Sequence, residues 1–353
     1  MEFEGKQIYH GDIHEGDSYR REYADSIARL LTRKHAQGYT TRESFLPPSQ
    51  LKTHREEYRQ EYLKMIGFPF DLMRKELPRV DTVFVGEDDF CKIYRLSLEV
   101  AEDFRFYGML MLPNGITKAP LVIAQHGGGG TPEFCSDFHT ANNYNFFTKR
   151  ALQRGFAVFA PSLLLWSFGI KTGEDFPQFE IPIDRAVYDQ RLRQVGYGIT
   201  GLEVFCIMRS LDYLCAQEFV DEQRIGMMGL SYGGYFSLHT AAADERIISI
   251  YDAGSFNDRS EVCFSDWSYP NSAYLFHDAE VAALCAPRRL RIDVGKQDQV
   301  FDYRPSAAEA ERIKKYYAAF NAEQEFQFNL WDGGHRFEQD CSGFDFFFDG
   351  LCR

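Results

Sequence analysis

The hexapeptide GLSYGG at positions 229–234 constrains the fold more than any other stretch of this chain. An apolar run over 225–228 precedes it, and residues 235–243 have the composition of a helix. Gly-x-Ser-x-Gly between a strand and a helix is typical of a sharp turn that lifts a serine hydroxyl above the sheet. The two glycines that flank the serine avoid a clash at this turn. We therefore predict that Ser231 is a nucleophile.

Composition limits the partners that this chain can have. Its 353 residues are 44% hydrophobic and 16% aromatic, enough for one large domain or two modest ones with a substantial core. A net charge of −13 argues against nucleic acid and anionic membranes, which attract basic patches. No apolar run approaches the roughly 20 residues of a membrane span, and the N-terminus lacks an apolar signal segment.

The eight cysteines include no C-x-x-C pair, so a zinc or redox motif is not indicated and we predict no metal site. Free thiols belong to a reducing compartment, and we therefore expect a cytoplasmic protein. The sequence leaves the oligomeric state open.

The pattern along the chain predicts an α/β protein with an N-terminal helical extension. Residues 1–79 contain two predicted helices, over 18–37 with a stop at Gly38 and over about 48–66, and we expect this extension to pack on the core. Three successive β runs follow, and from Pro120 strands alternate with helices. This alternation predicts a mostly parallel sheet with helices on both faces. The catalytic domain then covers 80–353, with insertions at 162–197 and 260–283.

A serine nucleophile needs a base, and the base needs an orienting carboxylate. His335 follows the last predicted strand, and Asp298 follows the strand predicted over 289–294. Both positions lie at the carboxyl edge of a parallel sheet, where the serine turn also emerges. Asp293 and Asp302 are alternatives, but Asp293 lies within the strand pattern and Asp302 lies further along the chain. We therefore predict a catalytic triad of Ser231, Asp298 and His335.

The second requirement is an oxyanion hole, for which the glycine run 127–130 after the strand at 121–124 is suited. Glycines expose backbone N–H groups and let a substrate approach. We predict that the N–H of Tyr232 acts together with that of Gly127 or Gly128. A dinucleotide site is not indicated, because G-x-G-x-x-G is not matched and no phosphate-binding lysine follows.

These motifs resemble those of the α/β-hydrolase superfamily. More narrowly, the segments 126–130, 221–235, 286–289 and 335–337 resemble the dienelactone hydrolase and acetyl xylan esterase-like branch, which is related to the prolyl oligopeptidase catalytic domain. The resemblance covers about residues 80–353. It implies an eight-stranded, mostly parallel sheet, a Ser-His-Asp triad and no cofactor. The region before the hydrolase core is too short for the propeller of the oligopeptidases, so the resemblance favours an esterase.

We therefore expect a serine hydrolase that cleaves carboxylic esters of small molecules, such as short-chain acyl esters or acetylated carbohydrates. A peptidase that acts on short peptides with the same triad is the alternative, and a non-catalytic scaffold is a third. Trp166 and Trp267 lie in the two insertions. Aromatic platforms suit sugars, so both are candidates for substrate binding, although packing beneath loops explains them equally well.

Overall fold

A nine-stranded sheet forms the centre of the computed structural model, which describes residues 11–138, 143–164, 185–262 and 264–352. The strands are β1 (Arg79–Glu87), β2 (Cys91–Ala101), β3 (Phe104–Pro113), β4 (Ala119–Gln125), β5 (Ala157–Pro161), β6 (Val220–Leu230), β7 (Ile247–Ala253), β8 (Arg289–Gly295) and β9 (Phe326–Trp331). Their order across the sheet is β1-β2-β3-β5-β4-β6-β7-β8-β9.

The sheet is antiparallel at one end and parallel elsewhere. β1, β2 and β3 form a meander, β3 pairs antiparallel with β5, and all strands from β5 to β9 across the sheet run parallel. The mostly parallel sheet is thereby confirmed. It has nine strands rather than eight, because β1 pairs with β2 over its whole length as an outer strand.

Helices cover both faces of the sheet, as predicted. They are α1 (Asp17–Phe45), α2 (Pro48–Met65), α3 (Pro132–Cys135), α4 (Phe147–Gln153), α5 (Arg185–Gln194), α6 (Ile199–Cys215), α7 (Tyr232–Ala243), α8 (Asp278–Cys285), α9 (Tyr303–Ala319) and α10 (Ser342–Asp349). Side chains of α2, α6, α7, α8 and α9 share one apolar core, and those of α3, α4 and α10 share a second. All seven residues of β4 and of β8 are buried, as expected of parallel strands covered on both sides.

The prediction that the first helix stops at Gly38 is wrong, because α1 continues to Phe45. Gly38 instead permits a close crossing with the 3-10 helix Ser272–Tyr274. A Cβ atom at Gly38 would lie 2.2 Å from the Ala273 carbonyl oxygen. One turn later, Arg42 donates a hydrogen bond of 2.8 Å to the same oxygen. The glycine therefore serves packing here and not helix termination.

The second helix of the extension packs on α7, the helix that follows Ser231. Tyr62 of α2 is fully buried, and its hydroxyl lies 2.8 Å from Nδ1 of His239 in α7. Arg59 donates to the carbonyl oxygen of Ala242 at the end of the same helix. These contacts attach the extension to the element that carries the predicted nucleophile.

The two predicted insertions differ in how much of them the structure describes. Residues 165–184 of the first lie outside the described residues. Its described part consists of residues 162–164, α5 and the turn after α5. The second contains two 3-10 helices, Ser265–Trp267 and Ser272–Tyr274, and then α8, which continues to Cys285. Within the described ranges, no helix is long and apolar enough to cross a membrane.

We predict that Tyr62→Phe lowers the free energy of unfolding by about 1–3 kcal/mol, since it leaves a buried imidazole nitrogen of His239 without its partner. Chemical denaturation followed by circular dichroism measures this change. Tyr19→Phe is the matched control. Tyr19 is 79% exposed, so the loss of its hydroxyl should change the free energy of unfolding little. Equal unfolding midpoints for both variants would contradict the structural role of this contact.

Candidate active site

Ser231 occupies the sharp turn between β6 and α7. Its backbone has φ 59° and ψ −122°, a conformation that side-chain-bearing residues rarely adopt. Two hydrogen bonds hold it: its N–H donates to the Ala253 carbonyl at 2.8 Å, and its carbonyl accepts from the Tyr235 N–H at 2.9 Å. The surrounding structure therefore maintains a strained serine at the apex of the turn, as a nucleophile elbow requires.

The glycines beside Ser231 are required by close backbone contacts. A Cβ atom at Gly229 would lie 2.3 Å from the backbone carbon of Gly233. A Cβ atom at Gly233 would lie 2.1 Å from the carbonyl oxygen of Gln125 in β4. Any side chain at either position would force the turn away from the sheet.

His335 and Asp298 form a hydrogen-bonded pair, with 2.7 Å between His335 Nδ1 and Asp298 Oδ2. The side chain of Asp298 is 1% exposed and that of His335 is 25% exposed. Asp298 Oδ1 also accepts backbone N–H groups from Val300 at 2.7 Å and Phe301 at 3.1 Å. The carboxylate is thus held in place, and it orients the imidazole so that Nε2 is the nitrogen left for chemistry.

The two competing aspartates have structural partners elsewhere. Asp293 is buried in β8, where it accepts a hydrogen bond from Tyr251 and pairs with Arg291. Asp302 caps α9 by accepting the N–H of Arg304. Of the three aspartates considered, Asp298 is the one that the structure places on His335.

A cavity of about 550 Å³ brings Ser231 and His335 together. Its lining also includes Gly128, Tyr232, Arg185, Ala186, Phe264, Ser265, Asp266, Val300 and Phe301. Asp298 lies behind His335, away from the cavity. The hydrogen bond from a catalytic serine to its histidine commonly tightens only when substrate is bound.

The two glycines predicted for the oxyanion hole play different roles. The N–H of Gly127 donates to the hydroxyl of Tyr144 at 2.8 Å. This N–H is therefore not available to donate to an oxyanion, contrary to the prediction. Gly128 lines the cavity, and its N–H has no hydrogen-bond acceptor within the described residues. The N–H of Tyr232 lies in the first turn of α7, where the helix dipole favours negative charge. Of the predicted donors, Gly128 and Tyr232 therefore remain the candidates for the oxyanion hole.

Comparisons with known proteins agree with this architecture. The sequence profile of the prolyl oligopeptidase family matches residues 188–269, which include Ser231. A Bacillus subtilis (strain 168) protein named "Putative hydrolase YtaP" is 24% identical over 283 residues, which are 76% of this chain and 89% of that protein.

Solved structures of two esterases are also similar to this chain. The glucuronoyl esterase from Solibacter usitatus has a TM-score of 0.61 at 15% identity and covers 86% of this chain and 93% of its own. Acetyl xylan esterase 1 from Thermoanaerobacterium sp. JW/SL YS485 has a TM-score of 0.54 at 17% identity and covers 84% and 94%. The chain has the α/β-hydrolase fold.

His126 holds the glycine loop of this α/β-hydrolase fold in place. It is fully buried, with Nδ1 2.9 Å from the Gly127 carbonyl oxygen and Nε2 accepting the N–H of Leu163 at 3.0 Å. Burial lowers the pKa of this imidazole to about 4. The neutral ring therefore bridges the loop after β4 and the segment after β5. Sequence reasoning used His126 only as the start of the glycine run and missed this role.

Trp267 does not line the cavity, so its predicted contact with substrate needs correction. It is 2% exposed and stacks on Tyr235, with ring centroids 4.2 Å apart and planes 3° apart. It also stacks on Phe301 at 6.0 Å, and Phe301 together with Phe264 forms the aromatic wall of the cavity instead. Trp267 supports this wall from behind. Trp166, the other predicted contact, lies outside the described residues.

A buried ion cluster joins the two insertions beside the cavity, and sequence reasoning missed its structural importance. Arg185 donates to both carboxylate oxygens of Glu203 at 2.8 Å and to Asp266 at 2.8 Å. Asp266 also accepts a hydrogen bond of 3.1 Å from the hydroxyl of Tyr232. The cluster therefore holds the side chain of Tyr232, one of the two residues predicted to form the oxyanion hole. Sequence spacing offers no signal for it, because its members are far apart along the chain.

We predict that His126→Asn destabilises the protein more at pH 7 than near pH 4. The folded pKa of about 4 lies below the usual value of 6.5, so the unfolded chain binds the extra proton first. The stabilisation by His126 is present above about pH 6.5 and is lost as the pH falls through 4. Denaturation at several pH values measures the difference, with the exposed His54→Asn as control. A difference that does not vary with pH would contradict the role of the neutral ring.

Proposed function

We propose that this protein is a serine hydrolase that cleaves carboxylic esters of small molecules through an acyl-enzyme. One observation carries the proposal: His335, which is hydrogen-bonded to Asp298, and the strained Ser231 line one cavity. That arrangement supplies a nucleophile, a base and an orienting acid in the order common to this fold.

In the proposed reaction, Ser231 Oγ attacks the ester carbonyl carbon while His335 Nε2 takes the serine proton. The carbonyl oxygen becomes an oxyanion, which accepts hydrogen bonds from the N–H groups of Gly128 and Tyr232. The carbon–oxygen bond to the alcohol then breaks, and His335 returns the proton to the alcohol as it leaves. A water molecule, activated by the same histidine, attacks the acyl-enzyme and releases the carboxylic acid.

Asp298 stabilises the imidazolium that forms in both steps. Its two backbone hydrogen bonds, from Val300 and Phe301, hold the carboxylate in place while it accepts from His335. No reorganisation of the acid is then needed as charge develops on the ring.

An acyl ester is the substrate class that the cavity favours. Phe264, Val300 and Phe301 line one part of it and offer an apolar surface for an acyl chain. A volume of about 550 Å³ is typical of sites for small molecules. The named esterases among the similar structures support the same choice, and acetylated carbohydrates are included in the proposal.

A peptidase with the same triad is the second candidate, and the profile match to the prolyl oligopeptidase family favours it. In the described residues, however, all nine strands belong to the one central sheet. The described part of the chain therefore contains no propeller to select peptides.

A cytoplasmic location is also part of the proposal. The seven cysteines that the structure describes are all free thiols, and four of them are buried away from any oxidant. Free thiols persist where the compartment is reducing.

We predict that Ser231→Ala lowers the turnover of p-nitrophenyl acetate by about 10⁴-fold or more, as loss of a triad nucleophile does elsewhere. Ser265→Ala is the matched control, since Ser265 lines the same cavity and has no role in the mechanism. A fluorophosphonate probe should label the wild type and Ser265→Ala but not Ser231→Ala. Retained turnover by a folded Ser231→Ala protein would overturn the proposal, and absence of labelling would favour a scaffold.

We also predict a higher kcat/KM for acetyl and propionyl esters than for aminoacyl amides, because the described cavity offers an apolar wall for the acyl group. A panel of p-nitrophenyl esters, acetylated sugars and aminoacyl p-nitroanilides measures this preference. The Ser231→Ala protein provides the background rate for every substrate. Preference for the amides would show that the peptidase reading is the better one.

A further inference from the structure

The first half of α1 projects from the protein. Every residue from 18 to 34, which we call the arm, is exposed. At 1.5 Å per residue the arm is about 25 Å long. The second half of α1 is anchored, since Gly38 crosses the turn at Ala273 closely and Arg42 pairs with the buried Glu280 at 3.1 Å. The arm is thus an extension of a helix that is fixed to the catalytic domain.

The arm presents an apolar stripe to solvent. Tyr19, Tyr23, Ile27 and Leu30 recur at intervals of three or four residues and so share one face of the helix. Their exposed fractions are 79%, 72%, 42% and 46%. Isolated helices are only marginally stable in water, and contiguous exposed apolar surface usually marks an interaction site. The stripe is therefore a surface that another apolar helix face would fit.

The charges around the stripe are arranged in two opposite halves. Residues 12–25 contain five acidic and two basic residues, and three of these acids, Asp12, Glu15 and Asp17, precede the arm. Residues 26–36 contain three basic and no acidic residues. The arm together with the turn that precedes it is therefore complementary in charge to a second copy of itself that runs in the opposite direction. Parallel pairing would place like charges together, which opposes association.

We propose that the arms of two copies of this chain pair antiparallel and form a homodimer. The stripes of the two arms face each other across the dimer axis, and the acidic segment 12–25 of each copy lies beside the basic segment 26–36 of the other. The contact is self-complementary, as a two-fold symmetric interface requires. This inference is independent of the proposed reaction, because no residue of the arm lines the catalytic cavity.

Light scattering coupled to size-exclusion chromatography tests the proposal with the full chain. The wild type should have twice the 40.9 kDa mass of the chain, and Ile27→Lys/Leu30→Lys should have the mass of one chain with an unchanged circular dichroism spectrum of the core. Phe84→Lys, which replaces a 57% exposed aromatic residue on β1, should remain a dimer. A wild type that is monomeric at all concentrations, or a lysine variant that stays dimeric, would overturn the proposal.

Charge reversal tests the antiparallel orientation. Glu22→Arg/Asp25→Arg makes both halves basic and should yield a monomer. Adding Arg29→Glu/Arg33→Glu inverts the sign of the charge in both halves, so this fourfold variant should form the dimer again. It also keeps an ion pair between positions 22 and 29, with the two charges exchanged. Failure of this fourfold variant to dimerise, with its helix content intact, would argue against antiparallel pairing through complementary charges.

Discussion

The close contact between the Ser231 turn and the strands on either side of it is the constraint on which the whole site depends. Gly233 packs on the Gln125 carbonyl of β4, and a Cβ atom at Gly234 would lie 2.2 Å from Asp252 Oδ1 of β7. A Cβ atom at Gly127 would lie 3.3 Å from the Ser231 Cβ. Since β4 leads into the glycine loop, the packing that permits the strained serine also sets the distance between Ser231 and that loop.

Aromatic stacking connects this turn to His335 by a second route. Tyr235, one turn into α7, stacks on His239 at 3.8 Å and on Trp267 at 4.2 Å. Trp267 stacks on Phe301, whose ring lies 5.6 Å from that of His335. Because α2 contacts the same stack at His239, one continuous packing unit includes the N-terminal extension, the second insertion and the loops that carry Phe301 and His335. Mutations far from the cavity can therefore act on the position of the histidine.

Much of the site could be predicted from the sequence because parallel strands bring their carboxyl ends to one edge of the sheet. Ser231, Asp298 and His335 each follow a strand, so their order along the chain implies their proximity. The finer choices depend on side chains that no local pattern connects. The N–H of Gly127 is bound by Tyr144, 17 residues later, and Trp267 is buried under residues from two other segments. The prediction of a helix stop at Gly38 is wrong for the same reason, because Ala273, the residue that Gly38 packs against, is remote in sequence.

The second insertion contacts both the cavity that Ser231 lines and the anchored part of α1. Its first part supplies Phe264 and Asp266 to the cavity, and its turn at Ala273 anchors α1 through Arg42. The helix that projects as the arm is thus fixed to the same insertion that forms the aromatic wall. Two paired arms would restrain this insertion in both copies of the chain. The geometry of the cavity and the association of the chain would then depend on one structural element, although the arm itself lies outside the cavity.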